Sequence, residues 1–150
     1  MFDMAFKFST ELRRQQAVSG SLKSILDGCV ARFYSGPVPA SSDSALSGNT
    51  LLLELKTSVG GNLTFESSAE GATLKKSLSE IWTGDAIAGG TMAFMRLEKP
   101  GDTGSAGTES VRVQATVGGP DADIVVSTTL IELGETRVLE YFAIALIEYV

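Results

Sequence analysis

The feature that most limits how this chain can fold is a change in the spacing of apolar residues at Cys29. Beyond that residue, apolar side chains recur mainly at every second position, as Cys29, Ala31 and Phe33 do. A period of two places alternate side chains on opposite faces of an extended strand. Clusters of glycine, proline and serine interrupt these segments as turns do. The pattern therefore predicts about eight β-strands.

The alternating segments and their turns define the expected strands. They are residues 29–34, 51–56, 63–66, a strand ending at 82–83, 91–98, 111–117, 124–132 and 136–147. Gly60-Gly61-Asn62 is expected to join the second and third of these as a hairpin. The segment that contains Leu74, Leu78 and Ile81 fits either a short helical turn or an irregular edge strand.

The segment from Ile81 to Leu97 carries the only tryptophan of the chain. Trp82 is too large and apolar to be left in water. We expect a core hairpin here, with one strand ending at Trp82 and Thr83 and the other running from Thr91 to Glu98. The turn between them would pass through three glycines, Gly84, Gly89 and Gly90.

Residues 9–27 are the only region with a helical pattern. Ser9 or Thr10 is suited to cap a first helix, and Ser19-Gly20-Ser21 interrupts it. In the second part the apolar residues share one helical face, which we expect to lie against the sheet: Val18, Leu22, Ile25 and Leu26. Gly28 is a suitable stop.

These elements predict a mainly β fold: a single β-sandwich, jelly-roll-like or Greek-key in topology, of about eight strands with a short N-terminal helical segment. Residues 1–8 form an N-terminal arm and residues 9–150 one domain, whose helical part covers 9–27. A chain of 150 residues can bury enough surface for such a core without staples.

Composition excludes several classes of function. The chain has no histidine and a single cysteine, which removes the usual catalytic dyads and the commonest metal ligand. A formal net charge of −6 disfavours nucleic acid and anionic membranes as partners. The carboxylates and the glycine pairs show no catalytic or phosphate-binding spacing. We expect a non-enzymatic protein without cofactor or metal, made in a reducing cytoplasm since the first residues resemble no secretion signal.

Two polar loops, Ala40 to Asn49 and Lys99 to Glu109, are expected to project into solvent or toward a partner. The strand 111–117 is expected to be half exposed, with Arg112, Gln114 and Thr116 on its outer face.

The chain ends carry the candidate interface. The arm alternates large apolar residues with others, and the final strand is apolar on both faces, so that the helix or another subunit must cover one of them. The candidate interface residues are Phe2, Met4, Phe6, Phe8, Tyr141, Ile147 and Tyr149. Completion of the protein's own sheet by the arm, as a first strand, is an equally good interpretation.

Four groups of residues resemble a family of small virion structural proteins of tailed bacteriophages. They are Leu12-Arg13 in the first helix, Tyr34-Ser35-Gly36-Pro37-Val38-Pro39-Ala40, the series Gly84…Gly90-Thr91…Phe94-Met95-Arg96-Leu97, and Thr128-Thr129-Leu130-Ile131…Gly134-Glu135-Thr136. The chain has Ala93-Phe94 where that family usually has Trp-Phe.

The resemblance implies a protein of the virion that binds the major capsid protein or other virion proteins and forms a homo-oligomer. A head decoration or cement protein is the first hypothesis. A tail- or fibre-associated protein that contacts host surface glycans through the two polar loops is the second. A cytoplasmic assembly factor that is absent from the mature particle is the third.

Overall fold

The computed structural model describes residues 6–68 and 71–146, which form a mainly β domain with a helical N-terminal region. The helices are α1 (Thr10–Val18) and α2 (Leu22–Leu26). The strands are β1 (Lys7–Phe8), β2 (Val30–Tyr34), β3 (Leu51–Thr57), β4 (Thr73–Lys75), β5 (Trp82–Asp85), β6 (Gly90–Thr91), β7 (Phe94–Glu98), β8 (Arg112–Gly118), β9 (Ile124–Val125), β10 (Leu130–Ile131), β11 (Thr136–Leu139) and β12 (Ala143–Ala145). The expected fold class is confirmed.

One large sheet organises the domain. Its strands follow the order β1-β8-β7-β2-β3-β5-β11, all antiparallel, and β9 adds to β8 as a parallel neighbour. Two small sheets, β10-β6 and β12-β4, complete the strand pairs. In β7 and β8 the register sets Arg96 opposite Gln114 and Glu98 opposite Arg112, so these four side chains share one face of the sheet.

The other face of the sheet carries the main core. Ala31, Phe33, Met95, Leu97 and Val113 lie on this face and are almost fully buried. The helices and the β12-β4 pair contribute further side chains to the same core, namely Leu12, Leu22, Ile25, Leu26, Leu74 and Ile144. Two packed layers therefore enclose one core.

Both helices begin as the sequence indicates. The side chain of Ser9 accepts a hydrogen bond from the backbone of Leu12, and that of Ser21 caps α2 in the same way. Gly28 follows α2 with a φ of 92°, a conformation that favours glycine. Leu22, Ile25 and Leu26 are buried as expected, but the expectation for Val18 is wrong, because its side chain is 75% exposed at the end of α1.

The expected hairpin around Trp82 is wrong, although its strands exist. β5 begins at Trp82 and pairs with β3 and β11, whereas β7 pairs with β2 and β8. The interior of β5 requires a glycine, because a Cβ on Gly84 would lie 2.1 Å from the carbonyl oxygen of Glu54. Trp82 and Gly84 thus belong to a strand between β3 and β11, whereas Gly90 begins β6, which pairs with β10.

The expected hairpin at Gly60-Gly61-Asn62 is also wrong. The turn forms, with the backbone N–H of Gly60 bonded to the carbonyl of Thr57, but the chain beyond it leaves β3. Leu63 instead forms an isolated bridge with Cys29, and Phe65 forms one with Lys76. The undecided segment after it contains the short strand β4, and Leu78 and Ile81 are exposed.

The long final strand is split in two. β11 pairs with β5 at one end of the large sheet, whereas β12 pairs with β4. Phe142 and Ile144 are buried, and Val138 and Tyr141 are exposed. The expectation of one strand with two continuous apolar faces is therefore wrong: part of its apolar surface is covered by the protein's own core, and part remains exposed.

Candidate functional site

A groove lies between the two ends of the large sheet. β9 and the residues after it line one wall, β11 and the residues after it line the other, and Phe6 lies beside them. Its volume is about 580 Å³, within the range of about 300–1,000 Å³ that is typical of binding clefts. We call it the seam groove, defined by Phe6, residues 123–127 and residues 137–143.

The walls of the seam groove expose apolar side chains. Val125 is 62% exposed, Val138 is 51% exposed and Tyr141 is 67% exposed. Ile124 and Phe142 lie buried beneath them. An apolar surface of this kind beside polar rim residues is typical of a contact site for another chain.

The two walls also present strand edges. Among the described residues, β9 pairs only with β8 and β11 pairs only with β5. Arg137 links the two sides through its side chain, which donates hydrogen bonds to the carbonyls of Thr128 (3.2 Å) and Leu130 (2.9 Å). Two strand edges across a groove are a suitable arrangement for an added extended segment.

The predicted interface residues are only partly placed by the structure. Phe6 and Phe8 are partly buried against the core, and the ring of Phe6 meets that of Phe142 edge-on at 5.7 Å. β1 pairs with β8, so Lys7 and Phe8 act as a first strand of the protein's own sheet. Tyr141 is exposed in the seam groove. The other four, Phe2, Met4, Ile147 and Tyr149, lie outside the described residues.

The opposite face of the large sheet carries a buried polar cluster that the sequence did not predict. Arg32, Arg96 and Arg112 extend from β2, β7 and β8, and Arg96 and Arg112 are no more than 1% exposed. We call these residues, with Tyr34, Glu98 and Gln114, the arginine face. The prediction that Arg112 and Gln114 are exposed is wrong, because the two polar loops cover them; Thr116 is partly buried.

The arginines hold the loops by their main chain. Arg96 donates to the carbonyl oxygen of Ser44 (2.8 Å) and, more weakly, to that of Ser41 (3.3 Å). Arg112 donates to the carbonyls of Ser42 (3.0 Å) and Ser105 (2.7 Å). Both loops therefore fold back over the sheet instead of projecting from it, with their outer side chains still exposed.

Carboxylates balance this charge. Asp102 meets Arg112 through two hydrogen bonds, at 2.6 and 2.8 Å. Burial is the largest single effect on Asp102 and opposes its ionisation. The hydrogen bonds from Arg112 and from the backbone of Gly104, together with the charges of Arg112 and Arg96, outweigh burial and lower the pKa of Asp102 below its ordinary value. Arg32 binds Glu54 at 2.8 Å and Glu98 at 3.1 Å.

Glu98 is a buried carboxylate of the arginine face, and its hydrogen bonding is incomplete. One of its oxygens accepts from Tyr34 (3.0 Å) and Arg32, whereas Oε2 is buried without a partner. Burial, and then the charge of Asp102, raise the pKa of Glu98 above its ordinary value. Nη1 of Arg96 is likewise buried without a partner. An unpaired buried polar atom costs stability.

Replacement of Glu98 by glutamine is therefore expected to stabilise the protein at neutral pH. A group whose pKa is higher in the folded state binds its proton more tightly there than in the unfolded chain. The stability that this proton binding contributes is complete below the ordinary pKa and is lost as the pH rises through the folded pKa. The gain of Glu98→Gln should shrink as the pH falls from 7 to 4, measured by urea unfolding at each pH. An unchanged or growing gain at low pH would contradict the assignment.

Metal binding and thiol reactivity are two kinds of chemistry on which the described residues bear. Within them, no group of three or more His, Cys, Asp or Glu residues is placed to hold a metal ion. Cys29 is fully buried, and burial raises the pKa of its thiol to about 11, which disfavours the reactive thiolate. Across residues 6–68 and 71–146, no helix is both long and apolar enough to cross a membrane.

No protein-family model, curated protein or solved structure matches this chain.

Proposed function

We propose that this chain is a non-enzymatic structural protein of a tailed-bacteriophage virion, and that it is a decoration or cement protein of the head. The observation that carries the proposal is the seam groove, an exposed apolar cleft between two strand edges. The sequence resemblance to small virion proteins points to the same role. The partner is the major capsid protein or another virion protein, and copies of the chain associate with one another.

The groove suits docking by an extended segment. A strand placed between β9 and β11 gains main-chain hydrogen bonds from the edges and apolar contact from Val125, Val138 and Tyr141. Aromatic side chains at the centre of such a contact contribute most of its binding energy. Tyr141 is the natural anchor because it is the largest of the three.

The arginine face supports a role that resists mechanical load. Buried arginines tie two long loops to the sheet through several main-chain hydrogen bonds. Charge-assisted hydrogen bonds are stronger than neutral ones, so the loops are stiffened without apolar packing. A stiff domain with an exposed apolar groove suits a protein that binds capsid subunits and holds them together.

The alternative is a tail- or fibre-associated protein that binds host glycans through the same loops. Their inner polar groups, such as the carbonyls of Ser42, Ser44 and Ser105, are already bonded to arginines. The loops therefore offer a glycan mainly their outer side chains, and the seam groove is the better supported site.

A binding experiment with purified heads that lack the protein tests the proposal. The double variant Val138→Lys/Tyr141→Lys places two charges in the groove at exposed positions, where such changes leave the fold intact. It should bind heads at least about tenfold more weakly than the wild type, a loss of about 1.4 kcal/mol. Heads coated with the wild type should also survive heating that disrupts bare heads.

Val59→Lys is the matched control, because Val59 is 92% exposed and lies outside the groove. It should bind heads like the wild type. Absence of the chain from purified virions by mass spectrometry would overturn the proposal in favour of an assembly factor. Binding to a glycan array, with none to heads, would favour the tail-associated alternative.

A further inference from the structure

The pairing of β11 with β5 determines which main-chain groups of β11 face the seam groove. The backbone N–H of Ala86 donates to the carbonyl of Glu135, so hydrogen-bonded pairs fall at every second residue from Glu135 onward. Arg137 therefore bonds to β5 with its main chain. The N–H and C=O groups of Thr136 and Val138 point away from β5, and no other strand in the described part of the chain pairs with them.

The side chains of β11 follow the same alternation. Leu139 packs against the core, on the face that it shares with its partner Trp82. Val138 lies on the outer face and is 51% exposed, and Glu140, two residues further along, is also exposed. A strand added to β11 therefore places one set of its side chains over the core and the other set in solvent.

The seam groove is too narrow for a folded second copy that continues the sheet. The side chain of Arg137, on β11, reaches the carbonyls of Thr128 and Leu130, which belong to the segment that follows β9. A second sheet would need space for several strands, each about 4.8 Å further from β11. The far wall lies in that space, so the groove suits one extended segment.

The lengths of the two walls indicate the direction of an added strand. β11 has four residues and β9 has two. Traced through the sheet, these two strands run in opposite directions, so an added strand is antiparallel to one and parallel to the other. Antiparallel pairing is slightly more stable per residue. We therefore expect the longer wall, β11, to pair antiparallel with the added strand.

The charge of the groove favours a basic side chain in the added strand. The lining includes two carboxylates, Asp123 and Glu140, and one arginine, Arg137. Arg137 is already paired with Glu135, so the charge that remains is negative. Opposite charges on directly paired residues stabilise neighbouring strands, and like charges destabilise them. A lysine or arginine opposite Glu140 therefore suits this edge.

We propose that the segment bound in the seam groove is a single extended strand of a partner protein, antiparallel to β11, with a basic residue opposite Glu140 and an apolar residue opposite Leu139. The partner residue opposite Val138 exchanges two main-chain hydrogen bonds with it, and so does the residue opposite Thr136. This assignment rests on the proposed docking at the seam groove, and it adds the direction, register and chemistry of the docked segment.

A peptide titration of the full-length isolated protein tests this inference. The probe is acetyl-Lys-Leu-Thr-Ser-Thr-amide, whose first residue lies opposite Glu140 and whose last residue lies opposite Thr136 in the proposed register. In amide NMR spectra at millimolar peptide, the signals of Thr136 and Val138 should move furthest, because these amides gain hydrogen bonds. The signals of Arg137 and Leu139 should move less, because their amides already bond to β5. No movement at Thr136 and Val138 overturns the inference.

Two control peptides separate strand pairing from unspecific apolar binding. Methylation of the main-chain nitrogen of the third residue removes the donor to the carbonyl of Val138 and should weaken binding about fivefold or more. The reversed sequence, Thr-Ser-Thr-Leu-Lys, places its lysine away from Glu140 in an antiparallel pair and should bind about threefold more weakly. If either control binds as tightly as the probe, the inference is wrong.

Exchange of the two charges tests the register from the side of the protein. Glu140→Lys should bind the probe about threefold more weakly than the wild type does. A peptide with glutamate in place of the lysine should bind Glu140→Lys more tightly than it binds the wild type. Glu132→Lys changes an exposed carboxylate outside the groove and should bind the probe like the wild type. Equal affinities of Glu140→Lys and the wild type for both peptides would contradict the proposed register.

The titration uses the isolated protein, so its outcome is independent of binding to heads. Failure of the titration together with normal binding to heads counts against this inference alone. Binding of the probe without binding to heads counts against the proposed function alone. Movement of the Thr136 and Val138 signals with protein concentration, in the absence of peptide, overturns the inference in favour of pairing between two copies.

Discussion

Replacement of Arg112 by alanine is expected to destabilise the protein by about 3–5 kcal/mol, the range for breaking a buried ion pair. The side chain of Arg112 is 1% exposed and that of Asp102 is 5% exposed. Removal of the guanidinium leaves the carboxylate buried without its counter-charge, and it also frees the carbonyls of Ser42 and Ser105. Urea unfolding at pH 7, followed by circular dichroism, measures the loss.

Two further variants separate the burial of charge from simple loss of a side chain. Arg14→Ala removes a guanidinium that is 62% exposed in its pair with Glu11, and it should cost no more than about 1 kcal/mol. Arg112→Met/Asp102→Leu removes both charges and should recover much of the stability that Arg112→Ala loses. Equal losses of stability in Arg112→Ala and Arg14→Ala would contradict a stabilising role for the buried pair of Arg112 and Asp102.

The pH dependence of this pair follows from the lowered pKa of Asp102. A carboxyl group with a lower pKa in the folded state contributes stability above its ordinary pKa and loses it as the pH falls through the folded value. Glu98 contributes in the opposite direction, since its pKa is raised. Acid therefore weakens the ion pair between Asp102 and Arg112, whereas protonation of Glu98 removes an unfavourable buried charge.

Sequence reasoning located several of the strands, but it did not predict that the predicted segments 124–132 and 136–147 are each split in two, or which segments cover the faces of the large sheet. A period of two correctly placed Arg112 and Gln114 on the face opposite Val113, because that alternation is local. It assigned that face to solvent because charged side chains usually lie there. Burial of these residues depends on two loops distant in the chain, and serine- and glycine-rich loops carry no periodic signal of where they pack.

The strand partners were also beyond local reasoning. Turn chemistry at Gly60 and near Gly84 suggested hairpins, yet β3 pairs with β2 and β5, and β5 pairs with β11. Contacts of this kind join residues 17 or more positions apart, and short strands fit several partners equally well. The seam groove arises from such long-range pairing, which the sequence did not predict. Among the described residues of the predicted interface, Phe6 and Tyr141 line the groove, and Tyr141 is the one with an exposed side chain.

Replacement of Trp82 by alanine is the second change with a large expected effect, a loss of about 3–5 kcal/mol. The indole is fully buried and lies against two other rings, Phe65 edge-on at 5.4 Å and Phe142 at 5.7 Å. Its Nε1–H donates to Glu80 at 2.9 Å. Truncation to alanine creates a cavity between Phe65 and Phe142, and these rings lose their contacts with the indole.

Trp82 links elements that are far apart in the sequence, because β5 pairs with β3 and β11 while Phe142 precedes β12. Its loss should therefore lower the midpoint of the whole cooperative transition, measured by far-UV circular dichroism since the variant has no tryptophan to report. Trp82→Phe keeps ring packing but not the bond to Glu80, and it should lose less than Trp82→Ala. Ile81→Ala, at a 55% exposed neighbouring position, should change stability by no more than about 0.5 kcal/mol. If Ile81→Ala lost as much stability as Trp82→Ala, the packing of Trp82 against Phe65 and Phe142 would not be a main source of the stability of the core.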